Sequence, residues 1–117
     1  MDKYEMMKRT KKFAVQIHEL VEEIPSTRAA NNICYQILKS SSSVAANYRA
    51  ACRAKSTADF INKLKIVEEE SDETMFWLEM MEEVAIVPNV SKHKELCGEA
   101  NHLTAIFVKS LKTLRAA

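Results

Sequence analysis

Apolar residues recur every three or four positions along most of the chain, and the recurrence lapses around two prolines. Met6, Phe13, Ile17, Leu20 and Ile24 fall on one helical face just before Pro25. A proline lacks a backbone donor and biases its predecessor toward extended backbone, so Pro25 and Pro88 are read as inter-helix connections. Beyond Pro88, Ser91 is a candidate cap, and Leu96, Ala100, Leu103, Phe107, Leu111 and Leu114 form another stripe.

The segment after Pro25 carries Ala30, Ile33, Ile37, Ser41, Val44 or Ala45, Tyr48 and Cys52 at helical steps. The stepping runs straight through four consecutive serines, Ser40 to Ser43. A linker would lose the period or bring in glycine and proline, and neither happens. The pattern predicts one helix over 27–54, about 42 Å long at 1.5 Å per residue, capped by Ser26 or Thr27. Ser40 to Ser43, Ala45, Ala46, Ala50 and Ala51 give it a face with little side chain. Such a face predicts a close helix–helix or subunit contact, with exposure the alternative for Ser40 and Ser43.

Ser56 followed by Asp59 resembles a capping box, which opens a third helix over 57–85. Its stripe is Phe60, Leu64, Val67, Ser71, Met75, Leu78 and Met81. Four amphipathic helices with short connections predict an all-α fold, an up-down-up-down four-helix bundle of long antiparallel helices in one domain over 1–117. The third helix is apolar beyond its stripe, adding Ile61, Ile66, Phe76, Trp77 and Met80. A chain of 13.3 kDa has limited interior. The surplus predicts burial between subunits, with Phe76, Trp77 and Met80 as candidate contact residues and a thickly packed monomer as the alternative.

Composition narrows the function classes. One glycine leaves nothing from which to build a phosphate-cradling glycine loop. The charged start, MDKYEMMKRTKKF, has no apolar segment of the signal-peptide kind, and no apolar run is long enough for a membrane span. Cys34, Cys52 and Cys97 are odd in number and widely spaced, which reads as free thiols in a reducing, cytoplasmic setting.

Net charge is only +1, but it is segregated. Residues 27–55 hold Arg28, Lys39, Arg49, Arg53 and Lys55 and no acid, whereas residues 56–87 hold nine acids and two bases. The first 26 residues balance, yet cluster Lys8, Arg9, Lys11 and Lys12. The basic helix either faces the acidic one, within or between subunits, or contributes to a surface for nucleic acid. Lys39, Arg49, Arg53 and Lys55 are the candidate nucleic-acid contacts. Arg49 and Arg53, four apart, suit phosphate or partner carboxylates such as Glu70 and Glu73. Asn47 is expected to bond across helices.

Catalytic chemistry finds little support. Glu99 and His102 have the Glu-x-x-His spacing of di-iron bundles, but no second copy exists. His18, His93 and His102 are read as surface residues. No metal, cofactor or enzymatic activity is expected.

The stretch SSSVAANYRAACRAKSTADFINKLKIVEEESDETMFWLEMM closely resembles the signature of the 23S rRNA-intervening-sequence, or S23, family. Ser41 to Ser43 match its serine-rich start, and Ala46, Asn47, Tyr48 and Arg49 its Ala-Asn-Tyr-Arg block. Arg53, Ser56, Asp59 and Phe60 match its turn, and Glu70, Asp72, Glu73, Thr74, Trp77, Leu78 and Glu79 its acidic and aromatic block. Ala50 stands where the family often has an acid, and Glu69 where a base is frequent. The resemblance implies a bacterial four-helix bundle that assembles as a homopentamer, with no catalytic role; the short apolar runs imply no membrane association. The expected function is a non-enzymatic oligomer that associates with RNA or DNA through a basic surface. The alternative is a structural or protein–protein interaction oligomer.

Overall fold

The computed structural model describes residues 1–117. Four helices follow one another: α1 (Lys3–Glu22), α2 (Arg28–Ala51), α3 (Thr57–Glu83) and α4 (Val90–Ala116). A side-chain oxygen caps each one. Asp2 accepts from the Glu5 N–H at 2.9 Å, and Thr27 from that of Ala30 at 3.2 Å. Ser56 accepts from the Asp59 N–H at 3.1 Å, while the Asp59 carboxylate reaches back to the Lys55 N–H at 3.2 Å. That exchange is the capping-box logic displaced by one residue.

The helix that contains the four serines is continuous through them. It stops at Ala51 rather than 54, because the N–H groups of Arg53 and Ala54 bond to carbonyls only three residues back. The chain must then turn into the extended Ser56 cap. The cap of α4 is Asn89, which accepts from the Lys92 N–H at 2.9 Å, so Ser91 lies inside the first turn. At the end of α3, Ala85 takes the left-handed conformation with φ 57°. The Ile86 N–H then closes onto the Met81 carbonyl at 3.0 Å, the ending a glycine usually supplies.

Antiparallel packing of the four stripes gives a body of 46 × 20 × 20 Å. The core runs its length, from Met6, Tyr48 and Phe107 to Leu20, Ile33 and Met81. The α2–α3 interface is the most extensive and α1–α4 the least. The small face explains the first. Ser40 and Ser41 are fully buried, and so are Ser71 and Thr74 of α3. The Thr74 hydroxyl lies 2.9 Å from that of Ser40 and 2.8 Å from the Glu70 carbonyl. Small residues let the two backbones approach, and their hydroxyls are satisfied by each other and by the preceding turn. Of the two serines for which exposure is the alternative, Ser40 is buried and Ser43 half-buried.

Two polar residues sit otherwise than expected. Asn47 bonds within its own helix, to the Ser43 carbonyl at 3.0 Å and its hydroxyl at 2.7 Å, not across helices. His93 is buried, with Nε2 2.8 Å from the Leu78 carbonyl of α3. It stands three residues before Leu96 and seven before Ala100, so the α4 stripe carries it inward.

Candidate functional site

Antiparallel connections bring four chain segments to each end of the bundle. Residues 1–3, 50–56, 57–64 and 107–117 share one end. They hold 7 of the 17 Lys and Arg residues and 2 of the 16 Asp and Glu residues, a net of +5. The rest of the bundle holds the other 10 bases and 14 acids, a net of −4. A chain that is almost neutral overall is therefore strongly polarised along its long axis.

At the basic end, Lys3, Arg53, Lys55, Lys109, Lys112 and Arg115 are all exposed. None takes part in an ion pair; the three pairs are Arg9–Glu99, Lys63–Asp59 and Lys65–Glu68. Between them lies an apolar recess formed by residues such as Tyr48, Phe60, Phe107 and Leu114. The Tyr48 and Phe107 rings meet at 5.9 Å in its wall. Burial, and secondarily the Cys52 thiol, holds the Tyr48 phenol protonated far above its ordinary range.

The sequence-derived candidates divide. Arg53 and Lys55 belong to the basic end. Arg49 is exposed one helical turn above it, on the side of α2 that faces α1. Lys39 is about 15 Å from Arg49 along α2 at 1.5 Å per residue. It stands near Glu70, whose carboxyl is pushed up by burial and then by Glu73, with Lys39 opposing. Neither Arg49 nor Arg53 pairs with Glu70 or Glu73. Lys3, Lys109, Lys112 and Arg115 escaped sequence reasoning because they stand on other helices, far along the chain from Arg53 and Lys55. The signal was present as acid-free spacing in the last turns of α4.

The surplus apolar residues of α3 also divide. Phe76 is 50% exposed and Ile66 41%, whereas Trp77 and Met80 are half-buried. The Phe76 and Trp77 rings meet edge to face at 4.9 Å. The Trp77 indole nitrogen is buried without an acceptor.

The Glu-x-x-His spacing is absorbed by a cation. Arg9 of α1 grips Glu99 with two bonds, Nε–Oε2 at 2.8 Å and Nη2–Oε1 at 2.7 Å. Its Nη2 also lies 2.8 Å from His102 Nδ1, which must be the unprotonated nitrogen to accept. Glu99, by hydrogen bond first, raises the already high Arg9 pKa. This clamp ties the seam where α1 and α4 touch least. Glu99→Gln keeps the shape and removes the charge, and is expected to cost about 1–2 kcal/mol, less at high salt. Urea unfolding at low and high ionic strength measures it. A loss below the measurement error at both salts would show that the seam holds without the clamp.

No group of three or more His, Cys, Asp or Glu is arranged to hold a metal ion. Burial pushes the Cys34 and Cys97 thiols up, away from nucleophilic thiolate. No helix is long and apolar enough to cross a membrane.

A long antiparallel four-helix bundle with one basic end defines the class. The 23S rRNA-intervening sequence protein family model matches residues 2–109, and the chain belongs to that family. It is similar to the crystal structure of a protein of unknown function from the S23 ribosomal protein family of Bacteroides thetaiotaomicron. The two share 28% identity and a TM-score of 0.85, over 96% of this chain and 99% of that one. No curated protein matches the chain.

Proposed function

We propose that this protein is a non-enzymatic, oligomeric nucleic-acid-binding bundle that meets phosphate with its basic end. The observation that carries the reading is the net charge of +5 that the packed helices gather at one end. Arg53, Lys55, Lys109, Lys112, Arg115 and Lys3 contact phosphate there, and Lys39, near Glu70 and away from that end, does not. Free, exposed cations on several elements suit a charged backbone rather than a single base edge. A cyclic homo-oligomer with protomers side by side sets these ends next to one another. The resemblance to the family supports a pentamer. Multiplying one weak patch around a ring strengthens binding to a long polyanion without any further interaction per protomer.

Gel shifts with single-stranded RNA and duplex DNA over a salt series test this. Affinity is expected to fall steeply with salt, and Lys109→Glu/Lys112→Glu/Arg115→Glu is expected to flatten the slope. On duplex DNA the slope becomes shallower by about 0.9 for every phosphate the variant no longer neutralises. No micromolar binding of either nucleic acid at physiological salt defeats the reading. The exposed apolar residues of α3 would then favour the second one, a protein–protein interaction oligomer.

A further inference from the structure

Above the basic end, an open groove of about 890 Å³ runs between α1 and α2. Its floor is the outer part of the small face, Ala45 and Ala46, flanked by Ser42. Its wall is α1, which turns Tyr4 (64% exposed) and Val15 (51% exposed) to solvent beside it. Lys8, Lys11 and Arg49 line the stretch nearer the start of α1, none of them in an ion pair, and His18, Glu19 and Glu22 line the stretch nearer its end. The first stretch, with an alanine floor, an apolar wall and unpaired bases, fits a helix that carries one large apolar side chain among acids.

The chain itself presents such a helix. On α3, Phe76 is half-exposed, and Glu69, Asp72 and Glu73, within two turns before it, are exposed and unpaired. Phe76 sits opposite the buried positions Ser71, Thr74 and Leu78 on the helix, so it points away from its own core. It cannot reach the α1–α2 groove of its own protomer.

We propose that the α1–α2 groove of one protomer receives the α3 face of a second copy. Phe76 seats over Ala45 and Ala46 beside Val15, and Asp72 and Glu73 face Lys8, Lys11 and Arg49. Groove and ridge are different surfaces of one molecule, so the interface is heterologous and propagates into a ring or a filament. This rests on the oligomer half of the proposed function and adds which surfaces meet. It leaves the cations of the basic end free for phosphate.

Half-interface mixing tests it. Ala46→Arg fills the groove floor and leaves α3 intact; Phe76→Glu removes the ridge and leaves the groove intact. Both positions are exposed, so circular dichroism is expected to show unchanged helix. Wild type is expected to elute as an oligomer in light scattering, and each variant alone near 13.3 kDa. Mixed, the two variants retain one good groove and one good ridge, and form a complex of about twice that mass. A second arm needs no apolar change. Lys8→Glu/Lys11→Glu and Asp72→Lys/Glu73→Lys each lower the mass, and their combination restores it. If wild type is oligomeric and both single variants keep its mass, or if they lose it and their mixture forms no complex, the groove–ridge interface is wrong while the oligomer stands. A wild type near 13.3 kDa at every concentration overturns the oligomer itself, and the groove would then fit an acidic amphipathic helix from another protein.

Discussion

Phe107→Ala is expected to cost about 3–5 kcal/mol, the usual loss for truncating a buried aromatic side chain. Phe107 is 2% exposed, is part of the central cluster, and stacks against Tyr48 of α2 at 5.9 Å. Three helices depend on it, because the recess beside it is walled by Tyr48, Phe60 and Leu64 as well. Deleting the ring removes its transfer free energy and leaves a space that Tyr48 cannot fill without moving its hydroxyl from the Cys52 side. Against a typical total of about 5–15 kcal/mol, the loss is a large share. Denaturant unfolding should show a much lower midpoint at unchanged m. A loss under about 1 kcal/mol would mean that the end of the bundle collapses freely onto the gap, and that its packing is loose.

Ser40→Leu is expected to be nearly as damaging, for the opposite reason. Ser40 has no exposed surface, and its hydroxyl is 2.9 Å from that of Thr74 across the α2–α3 interface. A leucine needs room for its larger branched side chain where two helices are held at serine–threonine distance. Overpacking of this kind costs about 1–3 kcal/mol or forces the helices apart. Ser40→Ala, which keeps the close approach, is expected to cost under about 1 kcal/mol, since Thr74 still bonds to the Glu70 carbonyl. The contrast between the two variants is the informative measurement. Equal losses would show that the hydroxyl, not the small volume, is what the position requires.

Acid acts late at the start of α3. Asp59 is held below the ordinary carboxylate range, first by its bond to Lys63 and then by the Lys55 N–H. A depressed folded pKa contributes stability above the unfolded value and loses it as pH falls through the folded one. The α2–α3 turn, with Arg53 and Lys55 in it, thus holds until the pH is below the ordinary carboxylate range. In an acid titration, backbone resonances of residues 53–59 are expected to move after those around Glu70, whose carboxyl burial pushes up.

Much of the architecture was legible in the residues one after another. The stripes from Met6 to Leu20 and from Leu96 to Leu111 are the buried residues of α1 and α4. Ser56 caps where its side chain and neighbours indicated, and Thr27 is the one of the pair Ser26 and Thr27 that caps α2. The helix through four serines was visible as an unbroken period, and the family in a signature between Ser41 and Glu79. These features are local. A period of 3.6 residues and a cap are decided within a turn or two, so a single helix is enough to express them.

Other features depended on which helices came to lie together. Arg9 meets Glu99 across 90 residues, and that meeting turns a metal-like spacing into a structural clamp. Ser40 is buried because Thr74 stands opposite, and His93 because the Leu78 carbonyl does. The basic end draws on α1, α2, the following turn and α4, none of which is exceptional alone. Axial register and helix azimuth decide such meetings, and both come from connections and core packing rather than from any one segment. Residue order alone carries four helices, their inward faces and the family. The separation of charge along the bundle arises only on packing, because antiparallel helices sum distant segments at each end.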